Sequence, residues 1–350
     1  MTKILVVRRD NIGDLVCTLP LVRALRQLYP AATIDILVNS YSAAVVENNP
    51  DIDHVYVYTK AKHRDEGVTV LGVHWRRLCM TLSLRRQRYD WVVLANVSCI
   101  PRPLRWARQV RGRRTVGFVT PGAQGARVLT DPVPLIHQAA QHEVEYLIQL
   151  VQPFLREAHA SDAAIQPPRI YPDTELKVQY ANQLMRQLPD SQKTIGINIS
   201  ARKPSQQWPA ESFIELIRLL TPTLRCVLYW SPGSGDTSGH PGDDAKAQQI
   251  LEACAGLSII GMPTQTLAEL IAALAVQDIF ITADGGAMHL GAALGKPIVA
   301  LFGDSTPAQW RPWGVPQRVL QPESLDVRQI TPIQVHAATQ SLMWEVEQNA

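Results

Sequence analysis

The sequence predicts an α/β protein made of two Rossmann-like domains, each with a parallel sheet. Three observations predict it. Short apolar runs of strand length alternate with helical periodicity along most of the chain. That alternation breaks at a proline-rich stretch, Gln166-Pro167-Pro168 and Tyr171-Pro172, and then restarts. And 350 residues suit two ordinary domains better than one core. The expected division is 1–170 and 171–330, with 331–350 as a terminal helix that crosses back to the first domain.

Each element is read from its own residues. Lys3 to Arg9 is a strand ending in the loop Asp10-Asn11-Ile12-Gly13-Asp14, and Leu15, Leu19, Val22, Leu25 and Leu28 then recur at helical spacing. Thr33 to Val38 and His54 to Tyr58 read as strands, with a short helix from Ser42 to Glu47 between them. A helix over 66–88 leads to the strand Tyr89 to Leu94, Arg102, Arg105 and Arg108 stripe one face of the next helix, and Thr115 to Val119 is a strand. Thr120 to Gln138, rich in Gly, Pro and polar residues, reads as a long loop of the kind that covers a binding site, before a helix from His142 to Leu155.

After the proline boundary comes a helix from Asp173 to Gln187. The strand Thr194 to Ile199, the helix Ser212 to Leu220 and the strand Arg225 to Trp230 follow. A long loop opens the helix Asp244 to Ala255, then come the strand Leu257 to Ile260 and the helix Leu267 to Ala275. Ile279 to Thr282, a glycine turn, the helix Ala287 to Leu294 and the strand Ile298 to Phe302 form a βαβ unit. Thr331-Pro332, in cap-then-proline order, starts the last helix.

Composition narrows the class. An apolar fraction of 46% with mixed charge excludes a disordered or collagenous chain. Cys17, Cys79, Cys99, Cys226 and Cys254 form no CxxC pair, which fits a reducing compartment and argues against a zinc site. The apolar run Ile4 to Val7 is too short for a secretory signal, so the expected location is cytoplasmic. Charge is uneven: residues 1–170 hold 22 Lys and Arg against 14 Asp and Glu, whereas 171–350 hold 12 against 17. A basic half suits an anionic partner, a phosphorylated glycolipid or membrane face before nucleic acid, since no nucleic-acid motif accompanies it. Asp51-Ile52-Asp53 has the form of a DxD metal motif but, after Asn49-Pro50, reads as a turn, and no metal is assigned.

The stretch Asp278 to Gly314 carries the most chemistry. Asp284-Gly285-Gly286 sits between a strand and a helix, where unpaired N–H groups and missing Cβ atoms make an anion seat. The plainer alternative is a common α/β turn with Asp284 as the cap. Asp14, at the carboxyl end of the first strand, is either a cap or a general base. A nicotinamide site is disfavoured, because DNIGD and not GxGxxG follows that strand.

The string from Asp284 through His289 and Leu290, with ALGKPIVALFG and TPAQWRPWG after it, resembles the C-terminal signature of glycosyltransferase family 9, the bacterial lipopolysaccharide heptosyltransferases. RRDNIGDLVCTLPLVRAL resembles that family's N-terminal motif. The resemblance implies a GT-B architecture of two facing Rossmann-like domains, acceptor-binding then nucleotide-sugar-binding, with a cleft between them. It implies an inverting, metal-independent transferase that moves heptose from ADP-heptose to the lipopolysaccharide inner core, with no cofactor and with peripheral attachment at the inner membrane.

By the same resemblance Asp14 is the catalytic base. Ser200, Arg202, Lys203, Gln206, Asp284, Gly285, Gly286, Ala287 and His289 meet the donor diphosphate and nucleotide and Asp243 or Asp244 the ribose; Asn11 and Gly13, with Arg102 and Arg105 of the basic first half, are the expected acceptor contacts. Asp243 and Asp244 otherwise read as caps of the following helix. Gln206 and Gln207 depart from the family's usual Lys or Arg before Trp208-Pro209, which keeps open a different nucleotide sugar; a non-catalytic sugar-nucleotide binder is the reading from another class.

Overall fold

The computed structural model describes residues 1–58, 70–98, 101–120, 122, 126–136, 138, 140–188, 192–234 and 242–349. The chain divides into two compact units, Met1–Arg169 and Ile170–Ala350.

The first unit contains β1 (Lys3–Val7), α1 (Ile12–Leu28), β2 (Thr33–Asn39), β3 (His54–Tyr58), α2 (Val70–Arg86), β4 (Trp91–Leu94), α3 (Pro101–Val110), β5 (Arg114–Val119), β6 (Asp131–Pro134), α4 (Glu143–Ile148) and α5 (Gln152–Ala158). Its strands pair in parallel in the order β3-β2-β1-β4-β5-β6. β1 and β4 lie at the centre and are covered on both faces, which is why Ile4 to Val7 and Trp91 to Leu94 are continuous apolar runs without alternation. α2 and α3 close one face around Leu84, Trp106 and Val110, and α1 packs with α4 and α5.

The second unit contains α6 (Thr174–Gln187), β7 (Thr194–Asn198), α7 (Ala210–Leu220), β8 (Arg225–Trp230), α8 (Asp244–Ala253), β9 (Ile259–Pro263), α9 (Leu267–Ala275), β10 (Ile279–Ala283), α10 (Gly286–Ala293), β11 (Ile298–Leu301), α11 (Pro307–Trp310), β12 (Gln317–Leu320) and α12 (Pro332–Gln348). Its sheet runs β12-β11-β10-β7-β8-β9, again all parallel. Numbered within its own unit, each sheet has the order 3-2-1-4-5-6, which reverses direction beside its first strand. Ligands of such sheets sit outside the carboxyl ends at that reversal.

Several expectations change. β6 lies inside the segment read as a loop; Pro132 and Pro134 cannot donate to a ladder, but β6 is an edge strand and needs only one neighbour. β12, also an edge, was not expected either. The short helix read at Ser42–Glu47 is a 3-10 helix over Ser40–Val45, capped by Asn39. The helix read from His142 to Leu155 is broken into α4, a 3-10 turn and α5. The start of the helix read over 66–88 and residues 121, 123–125 and 137 of the loop lie outside the described residues. The terminal helix packs on the second core: Val335 and Leu342 of α12 are fully buried with residues of α7 and β11.

Candidate active site

In the first unit, the reversal places the residues after β1 beside those after β4. Asn39, at the end of β2, donates to the carbonyls of Arg9 (3.0 Å) and Asp10 (2.5 Å), and Asn96 after β4 donates to the Asp10 carboxylate. The loop carrying Asp10 to Asp14 is thus held from both neighbouring strands.

α1 begins at Ile12 with Asn11 as its cap, so Asp14 is the third helical residue and not the cap itself. Its Oδ2 accepts from the Asn11 backbone N–H (3.1 Å) and from Asn11 Nδ2 (3.0 Å), and its Oδ1 accepts from Arg8. An ionised carboxylate has about four acceptor positions, so one stays available on a fixed group. Gly13 is buried in the same turn, and Asn11 is exposed and occupied with Asp14. Arg102 and Arg105 lie on the exposed face of α3.

Arg8 was not singled out from the sequence. Its side chain is 2% exposed, yet it faces three carboxylates: Asp14, Glu143 at 3.2 Å and Asp10 at 3.3 Å, and it also donates to the Ala95 carbonyl. Burial alone would lower its pKa; the carboxylates outweigh that and hold it above the ordinary arginine value. Glu143, on α4, is equally buried. A guanidinium fixed by its fork geometry is what aims the Asp14 carboxylate. Arg8 could have been flagged as a charge ending an apolar strand; nothing local marks its pairing with a residue on α4.

In the second unit, the reversal brings the loop after β7 beside the turn after β10. α10 starts at Gly286 with no side chain capping it, which leaves the N–H groups of Gly286 and Ala287 at a helix N-terminus. Gly285 has extended backbone, and an added Cβ would meet nothing within 4 Å. Neither conformation nor packing therefore demands glycine there; its effect is to keep open the space at the head of α10. Asp284 does not cap the helix. Its carboxylate accepts from Gln206 Nε2 at 2.9 Å, and the same amide reaches Ser305 Oγ at 3.2 Å.

Gln206 is buried, so in place of a cation the chain has a neutral clamp between two loops. Lys203 pairs with Asp304 at 3.3 Å, on the surface, and Ser205 Oγ donates to the same carboxylate at 2.9 Å. Arg202 is exposed, and no carboxylate pairs with it among the described residues. Gly303 touches the Ser205 carbonyl so closely that a Cβ would fall 2.2 Å from its oxygen. His289 is buried and packs edge-on against Trp310, with ring centres 6.0 Å apart, inside the helix and not at its head.

The acidic pair after the long loop divides its work. Asp243 accepts from Ser200 Oγ at 2.6 Å; burial raises its pKa, against the effects of that hydrogen bond and of Lys246. Asp244 accepts from Trp230 Nε1 (2.7 Å) and the Gly233 N–H (2.8 Å), and these bonds hold its carboxyl below the usual range. Neither side chain caps α8, so the capping reading of both is corrected; Asp243 and Ser200 are brought together at the ends of neighbouring strands, and Asp244 is tied into the loop. Lys246, also missed, braces the β7 loop by donating to the carbonyls of Ile199 (3.3 Å) and Trp208 (2.7 Å).

The DxD-like turn is structural. Asp51 pairs with Arg23 at 3.4 Å, and Asp53 accepts from Arg26 (2.6 Å) and the Ile34 N–H (2.7 Å). Among the described residues, no helix is long and apolar enough to cross a membrane.

Comparison with known proteins gives the family and the fold. The family model for glycosyltransferase family 9 (heptosyltransferase) matches residues 77–328. The chain is 25% identical over 318 residues to lipopolysaccharide heptosyltransferase 3 of Escherichia coli K12, covering 86% of this chain and 82% of that protein. Among solved structures it resembles E. coli ADP-heptose lps heptosyltransferase II, with a TM-score of 0.77 at 23% identity over 99% and 100% of the two chains. It also resembles E. coli heptosyltransferase WaaC with ADP, with a TM-score of 0.74 at 19% identity over the whole of both. The fold is accordingly of the GT-B class. With a family match over more than half its length and a Rossmann-like reversal in each unit, the chain belongs to glycosyltransferase family 9, the heptosyltransferases, and is a glycosyltransferase.

Proposed function

We propose that this enzyme moves a heptose from an ADP-heptose donor to the phosphorylated inner core of lipopolysaccharide, inverting the anomeric centre without a metal ion. An acceptor hydroxyl attacks the anomeric carbon, the bond from that carbon to the diphosphate oxygen breaks, the proton passes to Asp14, and ADP departs. The backbone N–H groups of Gly286 and Ala287 and the Arg202 side chain take the charge growing on the leaving diphosphate. Ser200 and Asp243 meet the nucleotide ribose, and Arg102 and Arg105 meet acceptor phosphates. The relative that carries ADP, and the one named for ADP-heptose, support adenosine as the base.

The observation that carries this reading is the Asp14 carboxylate, fixed by Arg8 and Asn11 beyond the end of a central strand with one acceptor position left. Asp14→Asn should cut turnover by about 10²–10⁴-fold, the usual worth of a general base, while donor affinity changes by less than about twofold. Turnover retained in Asp14→Asn discards the assignment. Gln206 at a position usually cationic favours, as a second reading, a different nucleotide sugar. Thermal shift across nucleotide sugars separates the two, because a ligand at 100 times its dissociation constant stabilises by about 2.7 kcal/mol.

A further inference from the structure

One face of the first unit carries apolar surface, and arginines beyond Arg102 and Arg105, that the residues described above do not use. α2 and α3 pack against each other over the same apolar cluster. α2 holds Arg76, Arg77, Arg85 and Arg86, α3 holds Arg102, Arg105 and Arg108, and neither helix contains a single Asp or Glu. The α3 arginines fall three apart and all are exposed, so they form one cationic stripe.

α2 is apolar on the wrong side as well as the right one. Leu84 and Met80 face the core, yet Trp75 is 67% exposed, Leu78 49% and Leu82 42%. Positions 75, 78 and 82, followed by Arg86, share one outward face at helical spacing. Ordinary solvated helices put charged pairs there. Here a tryptophan and two leucines stand between arginines.

The two features join. Arg77 stacks over Tyr58 and Trp106, at 5.5 and 5.4 Å from the ring centres, and Arg9 stacks over the same two rings at 5.1 and 5.6 Å. Arg9 immediately follows Arg8, so the basic surface continues from α2 through this aromatic pair to the loop that presents Asp14. The guanidinium of Arg9 is held below its ordinary pKa by burial and by Arg77 and Arg102, against Tyr58 and Asp10, as expected where cations crowd without enough anions.

We propose that the outer face of α2 and α3 docks on an anionic lipid bilayer, with Trp75, Leu78 and Leu82 entering the headgroup boundary and the exposed Arg76, Arg85, Arg86 and Arg108 meeting lipid phosphates. Exposed aromatic and leucine side chains whose only charged neighbours on the two helices are arginines are the chemistry of an interfacial helix. A nucleic acid would match the charge and leave the leucine stripe unpaid by any contact. The use of such docking rests on the proposed reading, in which the acceptor is itself lipid-borne; the binding does not.

The test is co-sedimentation of the full chain with phosphatidylcholine vesicles made with and without phosphatidylglycerol. Wild type should bind the anionic vesicles, weakly at high salt and weakly without phosphatidylglycerol. The variant Trp75→Ser, Leu78→Ser, Leu82→Ser should lose about tenfold or more in partitioning. Because those side chains are exposed, its melting temperature and its transfer to a water-soluble, acyl-free acceptor should match wild type. Vesicles with brominated acyl chains should quench wild-type fluorescence more than that of Trp75→Phe. No binding to anionic vesicles, binding undiminished in the triple variant, or a wild-type dimer that the variant turns into monomer would each overturn the proposal, the last by showing that a second copy covers this face. Failure of the wild type to transfer heptose to any acceptor would instead count against the functional reading, whatever the vesicles show.

Discussion

Replacing Arg8 by Met tests whether one buried guanidinium holds the Asp14 loop of the first unit in place. Met keeps much of the side-chain volume but removes the donors to Asp14, Glu143 and the Ala95 carbonyl. Two of the carboxylates left behind are shielded, with side chains 17% exposed for Asp14 and 3% for Glu143. Removing one partner of a buried pair costs about 3–5 kcal/mol, mostly because the stranded charge has nowhere to go. For a unit of this size that corresponds to a fall of about 6–20 °C in melting temperature. The informative variant is the double one, Arg8→Met with Glu143→Gln, which removes the most buried stranded charge and should recover about 1–3 kcal/mol. Differential scanning calorimetry, following the transition that contains residues 1–169, reads both. A single-variant loss below about 1 kcal/mol, or a double variant no better than the single, would refute the claim that these charges act as one unit.

Three further outcomes are expected. Gly285→Ala should leave the melting temperature within about 2 °C of wild type, since the added Cβ meets open space, yet weaken donor binding about tenfold or more by isothermal calorimetry; equal binding would show that the head of α10 is not the diphosphate seat. Arg202→Ala should raise the donor KM more than Lys203→Ala does, because Lys203 is already engaged with Asp304, and steady-state kinetics showing the reverse order would reassign the leaving-group cation. Asp243 has a folded pKa raised above its ordinary 3.8, so its contribution to stability is full below that value and is lost as pH climbs through the raised one; Asp243→Asn should flatten that part of the stability profile, measured by urea unfolding at stepped pH.

Much of the fold was legible because a parallel sheet writes itself into sequence. Ile4 to Val7 in β1, Trp91 to Leu94 in β4 and Ile298 to Leu301 in β11 are apolar throughout since both of their faces are covered. The edge strands escaped for the opposite reason. DPVP and QRVL each pair on one side only and keep polar or proline residues that read as loop. Asp14 and the glycines before α10 could be placed at strand ends from sequence because their positions depend on immediate neighbours. The Arg8 to Glu143 pairing joins residues 135 positions apart, and the Ser200 to Asp243 bond spans 43, so neither leaves any periodic trace. Helix caps were overassigned for a related reason: Asp243, Asp244 and Asp284 all precede or open helices, but each spends its carboxylate on a distant donor.

The contact between Gly303 and the Ser205 carbonyl has a mechanical consequence. Where side chains separate two loops, rotamer changes can absorb a small shift of either one; here main chain abuts main chain, and there is no such slack. The segment after β7 and the segment after β11 are geared together at that point, with the Gln206 amide as a second tooth on Asp284 and Ser305. Any displacement of the first is handed directly to the chain leading into α11, and so to the indole that rests against His289.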